Sequence, residues 1–248
     1  MTGQPPFHVS LTRLLAYRKV DPAALSRAAA VAHREIEAVL DGAAPGPSLL
    51  RRLAPALHLH TADLFVVAGR AVPEDLAPLD AEAGRTVPTL VGYAIRLPPE
   101  RRHRLRHLVH SLPQQRRTTP VPPPKPHARY PPGPGAMVVR MLHNRNLNWV
   151  GSVQSLATLT PLYLSAATIG QVGHGRSALS PERLVALATL LAVPAGELAA
   201  LTGVVLPADA PPVAPGAADV AELIWDVRRL TAAQVRQVRD RARSMLEP

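Results

Sequence analysis

The side chains able to do chemistry fall into few catalytic patterns. Glu100, His103 and His107 share one face of an expected helix, as metal ligands do, but no second cluster of Asp, Glu or His completes a site. Four Arg beside them (101, 102, 104 and 106) would repel a cation. Gly170-Gln-Val-Gly-His-Gly175 is glycine-rich, yet it follows no strand and so lacks the setting of a phosphate loop. There is no Gly-x-Ser-x-Gly and no Cys, and the Asp, Glu and His residues form no recognisable acid–base pair. The expectation is a non-enzyme with no cofactor and no metal. The run Arg101, Arg102, His103, Arg104, Arg106, His107 and His110 is either a phosphate-contacting patch or a solvated helix face.

Composition narrows the scaffold. The 248 residues include 28 Lys+Arg against 18 Asp+Glu, a formal charge of +10 that permits an anionic partner. Hydrophobic residues make up 47%, enough for real cores, while aromatics are only 3% and Ala and Leu abound, which favours helices. All the basic residues but Lys19 and Lys125 are Arg, which together with 28 Pro suggests a GC-rich bacterial genome. The N-terminus has no basic start with an apolar stretch behind it. The longest apolar run, Leu184 to Val193, falls short of the ~20 residues a membrane helix needs. A soluble, cytoplasmic protein without membrane contact is expected.

The chain also reads as two copies of one unit. Residues 113–136 hold nine Pro and little that can pack, so they read as an extended, semi-rigid linker. On either side, at an offset of 134, Pro47 matches Pro181, Leu50 Leu184, Leu53 Leu187, Leu57 Leu191 and Gly69 Gly203. Duplication explains such a run at one spacing.

Each copy reads as short helices. Leu11, Leu14 and Leu15 form one stripe, and Asp21-Pro22 caps and opens the next helix. After a break at Ala30-Val31 comes a third helix with Ile36, Val39 and Leu40 inward, stopped at Asp41-Gly42. Pro47 opens a fourth helix, and Thr61 caps a fifth that ends at Gly69.

The stretch LTRLLAYRKVDPAALSRAAAVAHREIEAVLDG resembles the Cro- and lambda-repressor-like (xenobiotic-response-element, XRE) helix-turn-helix family, on Leu11, Leu14, Arg18, Leu25-Ser26, Val31, Ile36, Val39 and Gly42. The resemblance implies an all-α architecture. Two tandem five-helix units, residues 8–70 and 137–205, would each carry a short helical extension, 71–112 and 206–248, and the linker 113–136 would join them. It also implies that helix three enters the major groove, with Ala32, His33, Arg34 and Glu35 at base edges and Ala38 one turn on. Arg34 would bond guanine O6 and N7, His33 a nearby acceptor, and Glu35 cytosine N4 or Arg34 itself. Arg18, Lys19 and Arg27 would contact phosphates. Departures from the pattern are Pro22, where members often carry a polar residue, and Ala30 in place of the turn Gly.

The second copy departs further. Its reading face would be Ser165, Ala166, Ala167, Thr168 and Gln171, small and uncharged, and Gly170 and Gly173 sit inside the helix at ~1 kcal/mol each relative to Ala. Two extra residues and Pro161 require a lengthened or broken second helix. In the extensions, Leu105, Leu108, Val109 and Leu112, and likewise Val235, Val238, Ala242 and Met245, form stripes that something must cover: the neighbouring unit, the other copy, or a homodimer partner. The implied function is a transcriptional regulator on double-stranded DNA, nucleoid-associated, with the first unit as main reader. The alternative is a protein-interaction adaptor built on degenerate units.

Overall fold

The computed structural model describes residues 3–207 and 215–247, so the start of the second extension lies partly outside the described residues. Within them the chain is all-α, with fourteen α-helices, two short 3₁₀ turns and no strand. The first five are α1 (Phe7–Arg18), α2 (Pro22–Ala29), α3 (His33–Leu40), α4 (Pro47–Ala56) and α5 (Thr61–Val67). The Asp21 carboxylate accepts from the Ala24 N–H at 2.6 Å, and Pro22 takes the first helical position, so α2 starts as its residues dictate. Thr61 is the first residue of α5 and not its cap. His60 holds the cap position without a side-chain bond.

Ala30 makes the tight turn between α2 and α3. It adopts φ 51°, ψ 43°, while the N–H groups of Ala30 and Val31 return to the carbonyls of Arg27 and Ser26. A residue with a Cβ pays about 1–2 kcal/mol in this left-handed region. Ala30 is exposed, so its methyl recovers nothing by packing. Ala30→Gly is therefore expected to stabilise the chain by about 0.5–1 kcal/mol, read as a rise of a few degrees in melting temperature.

Nine helices follow. They are α6 (Val87–Ala94) and α7 (Pro99–Ser111), then α8 (Pro134–Asn144), α9 (Trp149–Leu159), α10 (Ala166–Gly173), α11 (Pro181–Leu191), α12 (Ala195–Thr202) and, after 207, α13 (Ala217–Val227). The last is α14 (Ala232–Ser244). Pro47 and Pro181 open α4 and α11, and α7 and α14 are each 13 residues long. At 11 residues α9 is longer than α2 at eight, and Pro161 lies in the loop beyond it. Caps at Asn148, Ser165 and Thr231 accept from Gly151, Thr168 and Gln234 N–H groups. Pro134 opens α8, so residues 134–136 belong to a helix and not to the Pro-rich connection.

The helices before and after the Pro-rich stretch share one core, running from Leu11 to Ala242. The packing is crosswise: α1 lies against α12 and α5 against α8, and α6 lies on α9. Helices α6, α7, α13 and α14 close around one another. Leu105, Val109, Val235, Val238 and Ala242 are buried there, with Leu108, Leu112 and Met245 partly covered. That apolar area is used inside the chain and is not left over for a second copy, which corrects the expectation of a homodimer through the extensions. The connection likewise does not hold two distant bodies apart. Arg117 docks its guanidinium on the carbonyls of Ala77, Pro78 and Leu79, and Tyr130 is buried.

Among the described residues no single helix is long and apolar enough to cross a membrane. The apolar pair α11 and α12 bends by 117° and gives its leucines to the core.

Candidate nucleic-acid interface

Helix α3 is held by its inner face and open on its outer one. Ile36 and Val39 are buried, whereas Ala32, His33, Arg34, Glu35, Glu37 and Ala38 are exposed. Ala32 occupies the N-cap without an acceptor side chain, and the Glu35 carboxylate reaches back to its N–H at 3.1 Å. Glu35 thus closes its own helix turn, as a residue at the third position often does. The His33 Nε2 lies 3.3 Å from Glu37 Oε1, one turn along. Arg34 has no ion-pair partner among the described residues, so its fork of donors faces solvent.

The surrounding cations divide. Lys19 and Arg27 are exposed. Arg18 is not available for a phosphate: Nε and the terminal nitrogens bind both oxygens of Glu197 and the Leu57 carbonyl, with 15% of the side chain exposed. Its role is to clamp α1 to α12. The expected phosphate contact is corrected to a structural one, and a fork–fork pair of this kind suits a partly buried junction.

On α10 the outward residues carry no charge. Ser165, Ala167 and Gln171 are exposed, Ala166 and Thr168 partly so. The Ser165 hydroxyl accepts from the Thr168 N–H at 3.1 Å and lies 2.9 Å from its hydroxyl. The two glycines in this helix have a packing reason. A Cβ on Gly170 would stand 2.6 Å from the Trp149 ring, and one on Gly173 would stand 2.8 Å from Tyr130. Their low helix propensity is offset by close aromatic contact.

Three members of the basic run on α7 pair with acidic residues of α13. Arg102 meets Asp219 at 3.1 Å, Arg106 meets Asp226 at 2.8 Å and Glu222 at 3.8 Å, and His110 meets Asp226 at 3.1 Å. This ladder along the α7–α13 seam takes Arg102 and Arg106 out of both readings, while His103, Arg104, His107 and His110 stay exposed. Among the described residues no three His, Asp or Glu side chains converge as a metal site would require.

Sequence reasoning missed a charged centre beneath these faces. Arg145, at the end of α8, has no exposed surface and lies 2.9 Å from Asp63 on α5, itself 2% exposed. Asn144 donates to Asp63 at 2.8 Å, and Arg145 also donates to the Met141 and Leu191 carbonyls. Trp225 covers the pair, with the Arg145 guanidinium 5.1 Å from its ring, His60 stacked at 3.5 Å and Arg228 at 3.5 Å. Burial first, then Arg145 and Arg228, push the His60 pKa down to about 3, so its ring is neutral. Burial also lowers Arg228 to about 10. Asp63 within the apolar run Ala62–Val67 was the available signal, since a carboxylate there needs a partner.

No family model matches the chain, and no curated protein or solved structure matches it.

Proposed function

We propose that the chain is a sequence-specific DNA-binding transcriptional regulator of the Cro/lambda-repressor-like helix-turn-helix type. In this reading α2, the turn at Ala30 and α3 form the helix-turn-helix, and α9–α10 is a second, degenerate unit. The crosswise contacts of α1 with α12 and α5 with α8 support a pseudo-dimer within one chain. The observation that carries the reading is the outer face of α3. A short helix anchored by Ile36 and Val39 presents an unpaired Arg34 beside His33, flanked by exposed Lys19 and Arg27. This is a base-reading group with phosphate-positioning neighbours. It assigns no catalytic step and no cofactor, and places the protein on the bacterial nucleoid.

A protein-interaction adaptor is the second reading. It draws on Tyr163, 81% exposed just before α10, on Val150, 52% exposed on α9, and on Glu37 of α3 and Asp41 just beyond it. Salt separates the two. Lys19 and Arg27 alone give a slope of about −1.8 in log affinity against log salt, so affinity for duplex DNA falls at least about 12-fold from 50 to 200 mM. Fluorescence anisotropy with labelled duplex measures it. No duplex binding at 50 mM, or an affinity indifferent to salt, rejects the regulator.

A further inference from the structure

We infer that residues 125–130 of the Pro-rich stretch are a cationic arm built onto α9 and α10, and that Lys125 and Arg129 hold the phosphate backbone of a DNA duplex for the second unit. The inference rests on the DNA-binding reading and goes beyond it. It assigns a contact surface to a segment whose composition marks only a connection.

The first ground is a deficit. From Ser165 to Gly173 there is no charged residue, so α10 has no pull of its own on a polyanion. The second is that the arm is fixed to this helix and not free. The His127 carbonyl accepts from His174 Nε2, just beyond α10, at 3.0 Å, and the His127 ring meets the edge of Trp149 at 5.3 Å. Trp149 Nε1 donates to the Tyr130 hydroxyl at 2.7 Å, which also lies 3.0 Å from His143 Nε2. Arg140 donates to the Tyr130 carbonyl at 2.7 Å. Tyr130 is buried in a place that only a glycine at 173 leaves open.

The third ground is charge. Lys125, His127 and Arg129 are all exposed, and residues 113–136 contain no acidic residue. Arg129 uses its Nε on the Pro124 carbonyl, which orients the side chain while its terminal nitrogens remain for an anion. Lys125 and His127 line an open cleft of about 370 Å³ together with Arg85 and Asn148. Arg85 already has Glu82 at 2.9 Å, so the uncompensated charge there is that of Lys125. Because the arm is ordered before binding, its two cations meet phosphate without the entropy loss of a free tail.

The test uses the full chain with Lys125→Ala and Arg129→Ala together, titrated on duplex DNA from 50 to 200 mM salt. The expected slope falls by about 2, and affinity at 150 mM drops about 30-fold. The ranking of duplex sequences is unchanged, because phosphate contacts carry no sequence information. Both side chains are exposed, so the melting temperature moves by no more than about 2 °C, which separates lost contact from lost fold. Arg116→Ala, an exposed cation of the same stretch outside the arm, leaves the slope where it was. A double variant with wild-type slope and affinity overturns the arm while leaving the DNA reading intact. A wild-type chain that ignores duplex overturns both.

Discussion

Arg145→Ala is expected to destabilise the fold by about 3–5 kcal/mol, the largest stability loss of any single substitution considered. The guanidinium has no exposed surface and serves Asp63, the Met141 carbonyl and the Leu191 carbonyl at once. Truncation leaves the Asp63 carboxylate, 2% exposed, with Asn144 as its remaining donor. A buried charge without its partner costs far more than the pair contributes when intact. Asp63→Leu with Arg145→Met should therefore cost much less than the single alanine change. Denaturant midpoints of wild type, the single variant and the double variant measure the difference. If Arg145→Ala shifts stability by less than about 1 kcal/mol, the crosswise junction of α5 and α8 is not held as described.

Arg34→Ala has the largest expected effect on binding. One bidentate Arg–guanine contact is worth about 1–3 kcal/mol of discrimination, so affinity for the preferred duplex should fall roughly 5- to 150-fold. Affinity for unrelated duplex should fall much less, since Lys19 and Arg27 still meet the backbone. Arg34 is exposed, so melting should stay within a degree or two. Equal losses on preferred and unrelated DNA would make Arg34 a phosphate contact and not a reader.

Local structure was legible where a residue has one good conformational use. Asp21 caps α2, Pro47 and Pro181 open α4 and α11, and Ile36 and Val39 point α3 inward. The outward face of α3 follows from those two anchors. What was not legible is long-range pairing. Arg18 looks like any surface cation until Glu197, 179 residues on, closes over it. The stripe of Leu105 and Val109 announces that something covers it, but periodicity carries no name for the partner, which proved to be the second extension of the same chain. Gly170 and Gly173 read as helix weaknesses because propensity ignores tertiary contacts, and Trp149 and Tyr130 supply the reason. The Pro-rich stretch was read by composition alone, which cannot show that Tyr130 is buried and anchors it.

In the proposed function the outer face of α3 reads bases. Genomic fragments recovered with the wild-type chain and with Arg34→Ala, sequenced side by side, test it most directly. A shared motif containing a guanine is expected in the wild-type set, with its enrichment falling and that guanine losing its preference in the variant. Identical enrichment in both sets, or recovery with no shared motif at all, would contradict it.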